Sequence, residues 1–275
     1  MKKIILIMLV VFSSCDSSKK EYYENGKIKK KFFIKENKLE GIYKEYYESG
    51  FLKELHFYKK GEKIDSSLFY VNSSENYVKM IKYYLPKLKD TAFVKNYDKN
   101  KLLSEGLEFN NNRVKKWKIY NEGIESVFQY LIINNEEYLN QSWFFNQNLD
   151  TIYNRGTFIE IKYKDTIRLG EDNPIDFFLK KPLFSEKSKA KLFIDLNPKS
   201  KVAKDFSNIQ DVDLIEVNHT PENKKYIGLS LVFKNKGKHT FRGYVLEYIE
   251  GDKKNIGSVF KKEHKKYFEF SFIVE

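Results

Sequence analysis

EYYENGKIKKKFFI, residues 21–34, returns as EYYESGFLKELHFY, residues 45–58. The match covers Tyr-Tyr-Glu, Gly26 with Gly50, an aliphatic at Ile28 and Leu52, Lys29 with Lys53, and Phe33 with Phe57. A third copy, YVKMIKYY at 77–84, lies over FLKELHFY at 51–58, with a turn from Asn72 to Asn76 that lacks the glycine. A fourth, YNEGIESVFQY, occupies 120–130, and the 73 residues from Gly50 to Gly123 come close to three periods of 24. A period of that length holds two strands of about eight residues and two turns, which is a β-hairpin unit. Asn25-Gly26 and Ser49-Gly50 supply turn positions where φ is positive. One hairpin alone is marginal in water. A row of hairpins shares the surface that one lacks, so the repetition predicts an antiparallel meander.

Tyr77, Met80, Ile81, Tyr84, Leu85 and Leu88 follow helical spacing, but Pro86 and the alignment with the second copy favour a strand. Further strands are expected at 102–109, 113–120, 124–133, 138–145 and 151–161, with Leu139, Gln141, Trp143 and Phe145 on one side. The polar, turn-rich stretch Gly170 to Pro174 marks a break. Beyond it, segments near 175–179, 191–196, 212–218, 225–234, 239–249, 256–260 and 266–274 read as strands. Ile227, Leu229, Leu231 and Phe233 share a side, as do Phe268, Phe270, Phe272 and Val274. This spacing fits an immunoglobulin-like β-sandwich without the cysteine pair or core tryptophan of antibody domains.

The repeat, with Leu39-Glu40-Gly41 and Tyr43 to Tyr47 following the first copy, resembles the bacterial variant of the MORN-type repeat. The resemblance is clearest over 21–66 and thins along 67–130. It implies an elongated antiparallel sheet of the kind found in scaffolding and membrane-associated proteins and in antitoxin components of toxin pairs. It implies no catalytic residue. The expected architecture is all-β: a repeat meander over 21–165 and an immunoglobulin-like β-sandwich over 170–275.

Successive strand residues point to opposite faces. The couplets Tyr22-Tyr23, Phe32-Phe33, Tyr46-Tyr47, Phe57-Tyr58 and Tyr83-Tyr84 therefore place a ring on each side of the sheet. Either both faces pack, or one presents an aromatic row suited to sugar rings or a protein partner. The candidate binding residues are Tyr22, Tyr23, Tyr46, Tyr47, Tyr58, Tyr83 and Tyr84.

Lys2 and Lys3 precede nine apolar residues, Ile4 to Phe12. As a helix these would span about 13 Å against a hydrocarbon core of about 30 Å, too short for a permanent span. A basic start, a short apolar run and small residues describe an export signal. Ser13-Ser14-Cys15, with the single cysteine of the chain, resembles the lipobox of bacterial lipoproteins. Phe12 and Ser14 stand where that family more often has leucine and glycine or alanine. The resemblance implies cleavage between Ser14 and Cys15, lipidation of Cys15, and residues 16–20 as a short linker. Stable attachment takes more than one acyl chain, which the family's diacylglyceryl modification supplies. The protein is then expected in the cell envelope outside the cytoplasm, on either the inner or the outer membrane.

The formal charge is +12, yet only Arg113, Arg155, Arg168 and Arg242 of the 50 basic residues are arginine. Lysines are hydrated point charges rather than the planar forks that read bases, which argues against nucleic acid and leaves anionic surfaces in general. His56, His219, His239 and His264 have no metal-ligand spacing, and no hydrolase elbow or phosphate loop is present, so no catalytic residue, metal or cofactor is expected. The functional expectation is a non-catalytic binding or scaffolding module, tethered to the membrane by lipid and facing an envelope protein or glycan. The alternatives are an immunity or antitoxin-like protein against a secreted toxin, and an envelope glycan-processing enzyme.

Overall fold

The structure is a computed structural model whose described residues are 18–122, 124–197, 199–250 and 260–275. Ser14, Cys15, Gly123 and most of the strand expected at 256–260 lie outside them. Among the described residues all regular elements are strands except a single 3₁₀ turn, Ile209–Asp211. The first twelve strands are β1 (Ser18–Tyr22), β2 (Ile28–Lys35), β3 (Lys38–Leu39), β4 (Gly41–Tyr46), β5 (Leu52–Lys59), β6 (Glu62–Tyr70), β7 (Val78–Tyr84), β8 (Thr91–Asp98), β9 (Lys101–Phe109), β10 (Asn112–Asn121), β11 (Ile124–Ile133) and β12 (Glu136–Phe145). They form one antiparallel meander in chain order, with β3 paired to β2. The helical spacing at 77–88 yields to strand β7.

The 24-residue period has three physical marks. Register shifts fall between Glu21 and Tyr22, Glu45 and Tyr46, and Phe69 and Tyr70. In each, Tyr22, Tyr46 or Tyr70 pairs with the aliphatic Ile28, Leu52 or Val78, which leaves Lys29, Lys53 or Lys79 as the extra residue of a β-bulge. The repeated aliphatic-Lys dipeptide is therefore a bulge signature. Second, the turn beside each bulge closes through Tyr23 N–H to the Lys27 carbonyl and Tyr47 N–H to the Phe51 carbonyl, with Gly26 (φ 78) and Gly50 (φ 98) in the left-handed position. The third copy closes from Val71 to Tyr77, two residues wider, and Asn76 (φ 39) stands in for the glycine. Third, the Tyr23 hydroxyl donates to the Tyr46 carbonyl at 2.6 Å and Tyr47 to the Tyr70 carbonyl at 2.8 Å. The second tyrosine of a couplet is thus a rung to the next hairpin.

The opposite turns carry their own period. Glu36-Asn37, Lys60-Gly61, Asn110-Asn111 and Asn134-Asn135 all take positive φ, as two-residue hairpins of the primed types require.

The remaining strands are β13 (Ile159–Lys162), β14 (Thr166–Ile167), β15 (Asp172–Leu179), β16 (Lys189–Asp195), β17 (Ile215–Asn218), β18 (Tyr226–Val232), β19 (Gly237–Glu250) and β20 (Phe260–Val274). They make a three-stranded sheet, β13-β15-β18, and a five-stranded sheet, β14-β20-β19-β16-β17. Both contribute to one core: Ile175, Phe177 and Ile227 from the first, Leu192, Ile194, Phe241, Phe270 and Phe272 from the second. The expected inward rows 227/229/231/233 and 268/270/272/274 hold, all eight residues lying in or against that core.

Compactness divides the chain into Met1–Lys101 and Leu102–Glu275. Within the second unit, Asn140 behaves as a stand-in for a strand residue. Its amide donates to the Tyr267 carbonyl at 2.9 Å and its carbonyl accepts from Tyr267 N–H at 2.7 Å. Asn140 is free to do so because it is a bulge residue: Gln129 pairs with Gln141 and Tyr130 with Leu139. The bulge also corrects the expected row 139/141/143/145, since Leu139 is exposed and Gln141 buried. The strand expected over 151–161 is likewise shorter. Turns at Asn146–Asp150 and at Ile152–Arg155, followed by Gly156 (φ 79), break it, and β13 starts at Ile159.

Candidate functional site

The seven candidate tyrosines do not share one surface. Tyr22 and Tyr83 are exposed, at 57% and 39%, while the other five are half-buried. Tyr23 and Tyr47 spend their hydroxyls on backbone carbonyls, and Tyr46 supplies one of those carbonyls. Tyr58 and Tyr84 belong to a cluster around His56.

That cluster forms one face of the sheet in β1–β7. Its rows follow the register: Glu21, Lys30, Glu45, Glu54, Phe69 in one, and Tyr43, His56, Ser67 in the next. Phe32 stacks on Tyr43 at 5.9 Å, and Tyr43, Tyr58 and Phe69 surround the His56 ring at 5.5 to 6.2 Å. His56 Nδ1 meets Ser67 Oγ at 2.6 Å and Nε2 meets Glu54 at 2.9 Å, and Ser67 Oγ continues to the Tyr84 hydroxyl at 2.9 Å. Charges on this face are paired, with Lys30 to Glu21 at 3.1 Å and Lys53 to Glu45 at 2.6 Å. Burial pushes the Glu45 carboxyl up, but the Lys53 ammonium and the Tyr43 hydroxyl win and hold it below its usual value. Burial and the neighbouring carboxylate raise the Tyr43 hydroxyl.

His56 is 2% exposed, and burial, with the Lys63 charge second, lowers its pKa against the opposing pull of Glu54. Burial and the Lys266 charge lower His264 in the second unit. A histidine whose folded pKa lies below its unfolded value binds fewer protons when folded. Its contribution is complete above about pH 6.5 and is lost as pH falls from there toward the folded pKa. The expected outcome is a lower urea midpoint at pH 5.5 than at pH 7.5, with His56→Gln flattening that change in the first unit. A first-unit midpoint equally pH-dependent in the variant would show that His56 does not titrate in this way.

The other face has a different composition. Strand alternation places Lys20, Lys31 and Lys44 opposite one another across β1, β2 and β4, with Leu55 next on β5. Like charges directly opposite destabilise a sheet, and at about 4.8 Å per strand these three ammonium stems form a row about 10 Å long. The only acids in β1, β2, β4 and β5 are Glu21, Glu45 and Glu54, all on the first face. The lysine row therefore has no acid beside it on those strands. Ile42, 43% exposed, pairs with Phe57 in the adjacent row, and Phe33 lies two residues along β2 from Lys31. The arrangement is a basic stripe edged with apolar surface.

Sequence reasoning counted the lysines but did not sort them. Alternation within KIKKKFFI and GIYKEY already separates Lys31 and Lys44 from Lys30 and Glu45, once the register is known. Among the described residues no cluster of His, Cys, Asp or Glu suits a metal ion, and no helix is long and apolar enough to cross a membrane. No family model, curated protein or solved structure matches the chain.

Proposed function

We propose that this protein is an extracytoplasmic, lipid-anchored binding or scaffolding module built on MORN-type repeats, and that the Lys20–Lys31–Lys44 stripe receives an anionic envelope protein or glycan. The observation that carries the reading is the segregation of charge: every acid of β1, β2, β4 and β5 sits on one face and the unopposed lysines on the other. An intramolecular role would place a carboxylate within reach. A partner with its own negative charge would relieve the repulsion and gain apolar contact with Ile42 and Phe57.

The C-terminal sheets support the immunoglobulin-like reading through their strand order. β13-β15-β18 corresponds to A-B-E, and β14-β20-β19-β16-β17 to A′-G-F-C-C′, with β14 parallel to β20.

The test is crosslinking in whole cells that carry the full chain. Lys20→Glu/Lys31→Glu/Lys44→Glu is expected to abolish the crosslinked partner, with binding falling at least tenfold, while the control Lys87→Glu/Lys89→Glu retains it. Equal capture by the two variants would refute the stripe. Cys15→Ser is expected to release the protein into the soluble fraction, and unchanged membrane retention would refute the anchor independently.

A further inference from the structure

The free strand edges differ in how they are guarded. β1 carries Lys19, Lys20 and Glu21, β12 carries Glu136 and Glu137, β13 carries Glu160 and Lys162, and β17 carries Glu216. Charges at an edge are the usual defence against pairing with another chain. β18, YIGLSLV, is the free edge of the three-stranded sheet among the described residues and has no charged residue. The other uncharged edge among the described residues, β14, is only two residues long, so in a chain that is 32% charged a seven-residue uncharged edge stands out.

The backbone polarity of that edge can be worked out. Leu179 N–H donates to the Lys225 carbonyl, so position 225 bonds toward β15, and by alternation so do 227, 229 and 231. Positions 226, 228, 230 and 232 direct their N–H and C=O groups outward. Tyr226 uses both within its own chain, donating to Asn223 and accepting from Thr220. Gly228, Ser230 and Val232 remain. Their side chains point away from the core and all three residues are exposed, Val232 at 57%.

We propose that this edge joins a second copy of the chain, β18 against β18 in antiparallel register about a two-fold axis at Ser230. The triplet is self-complementary. That register pairs Ser230 with its symmetry mate and Gly228 with Val232, so all three outward-directed residues find partners and the bulkier side chain sits beside the residue that has none. The pairing stops at the triplet, because Thr220 of the same chain already lies along the edge at Tyr226 and β18 itself ends at Val232. The result is a continuous six-stranded sheet across a closed, two-fold interface.

The register gives the test. Residues directly opposite in a hydrogen-bonded antiparallel pair have Cα atoms about 5.5 Å apart, within the disulfide range. In a Cys15→Ser background, Ser230→Cys is expected to form an intermolecular disulfide under mild oxidation. Val232→Cys is not, since the two copies of residue 232 lie four residues apart along the strand, about 13 Å. Sedimentation of the reduced Cys15→Ser protein should show a dimer, and Ser230→Lys should shift it to monomer. A monomer at every concentration, or equal crosslinking at 230 and 232, would overturn the proposal. Capture of a different protein by Ser230→Cys from a monomeric chain would also overturn it and point to strand donation by that protein. If Ser230→Lys failed to fold, the cysteine pair would still decide the register.

Discussion

Glu247→Met is expected to lower the unfolding free energy of the second unit by about 3–5 kcal/mol, and Lys266→Met by distinctly less. The two side chains form an ion pair with no exposed surface on either partner, Nζ to Oε2 at 2.5 Å between β20 and β19. A buried pair is weak evidence of net stability, because desolvating two charges offsets most of their attraction, but removing one partner leaves the other uncompensated. The partners are not equivalent here. Glu247 Oε1 also accepts from Leu183 N–H at 2.6 Å, Phe184 N–H at 3.3 Å and the Ser188 hydroxyl at 2.8 Å. Its loss orphans two amides, a hydroxyl and an ammonium together. Loss of Lys266 leaves a carboxylate that still holds three donors, and burial already lowers the lysine pKa against the pull of Glu247. The double variant should be more stable than the sum of the single losses predicts, which a double-mutant cycle measures directly. Trp117 and Trp143 are the only tryptophans of the chain and both lie in Leu102–Glu275, so urea unfolding followed by tryptophan fluorescence reports this unit. A Lys266→Met penalty equal to or above that of Glu247→Met would show that the carboxylate is not the hub.

Sequence reasoning reached the β class and the meander because hydrophobic alternation and glycine turns act locally. It found the inward rows of β18 and β20 for the same reason. It missed what depends on pairing. Nothing in Leu139-Asn140-Gln141 marks Asn140 as a bulge residue, because the bulge arises from a mismatch with β11 and from the backbone of β20 that Asn140 binds. Alternation alone leaves open whether the couplets pack on both faces or present an exposed row, and it does not show that Tyr23 and Tyr47 are rungs between hairpins; their partners, the Tyr46 and Tyr70 carbonyls, carry no side-chain signature. One local signal was available and unused: at the turns opposite the glycine turns, Asn37 and Gly61 are 24 residues apart, and so are Asn111 and Asn135. The stripe of Lys20, Lys31 and Lys44 follows from alternation only after β2 and β4 are placed in register.

Gly243→Ala is the second large effect expected, a loss of about 3 kcal/mol or more, the upper range for forcing one added carbon into a packed interior. Gly243 sits in the middle of β19, opposite Ile194 of β16 and Phe268 of β20. A Cβ built on it would stand 2.1 Å from the Phe193 carbonyl oxygen, 2.9 Å from Ile194 Cα and 3.0 Å from the Phe193 carbonyl carbon. All three are backbone atoms of the neighbouring strand, so no side-chain rotation can relieve the contact. The strand must move, and with it Leu192 and Ile194, both fully buried in the common core. Gly106→Ala is the informative control. There the added carbon meets the Trp117 ring at 2.4 to 2.6 Å, and Trp117 packs over Gly106 while its indole N–H donates to the Leu107 carbonyl. The ring can turn aside at the cost of that hydrogen bond, worth about 1 kcal/mol. The expected order is therefore Gly243→Ala above Gly106→Ala, read as urea midpoints of the same fluorescence transition. The reverse order would mean that β16 and β19 approach less closely than a strand pair without room for a methyl group, and the core packing derived from that approach would need revision.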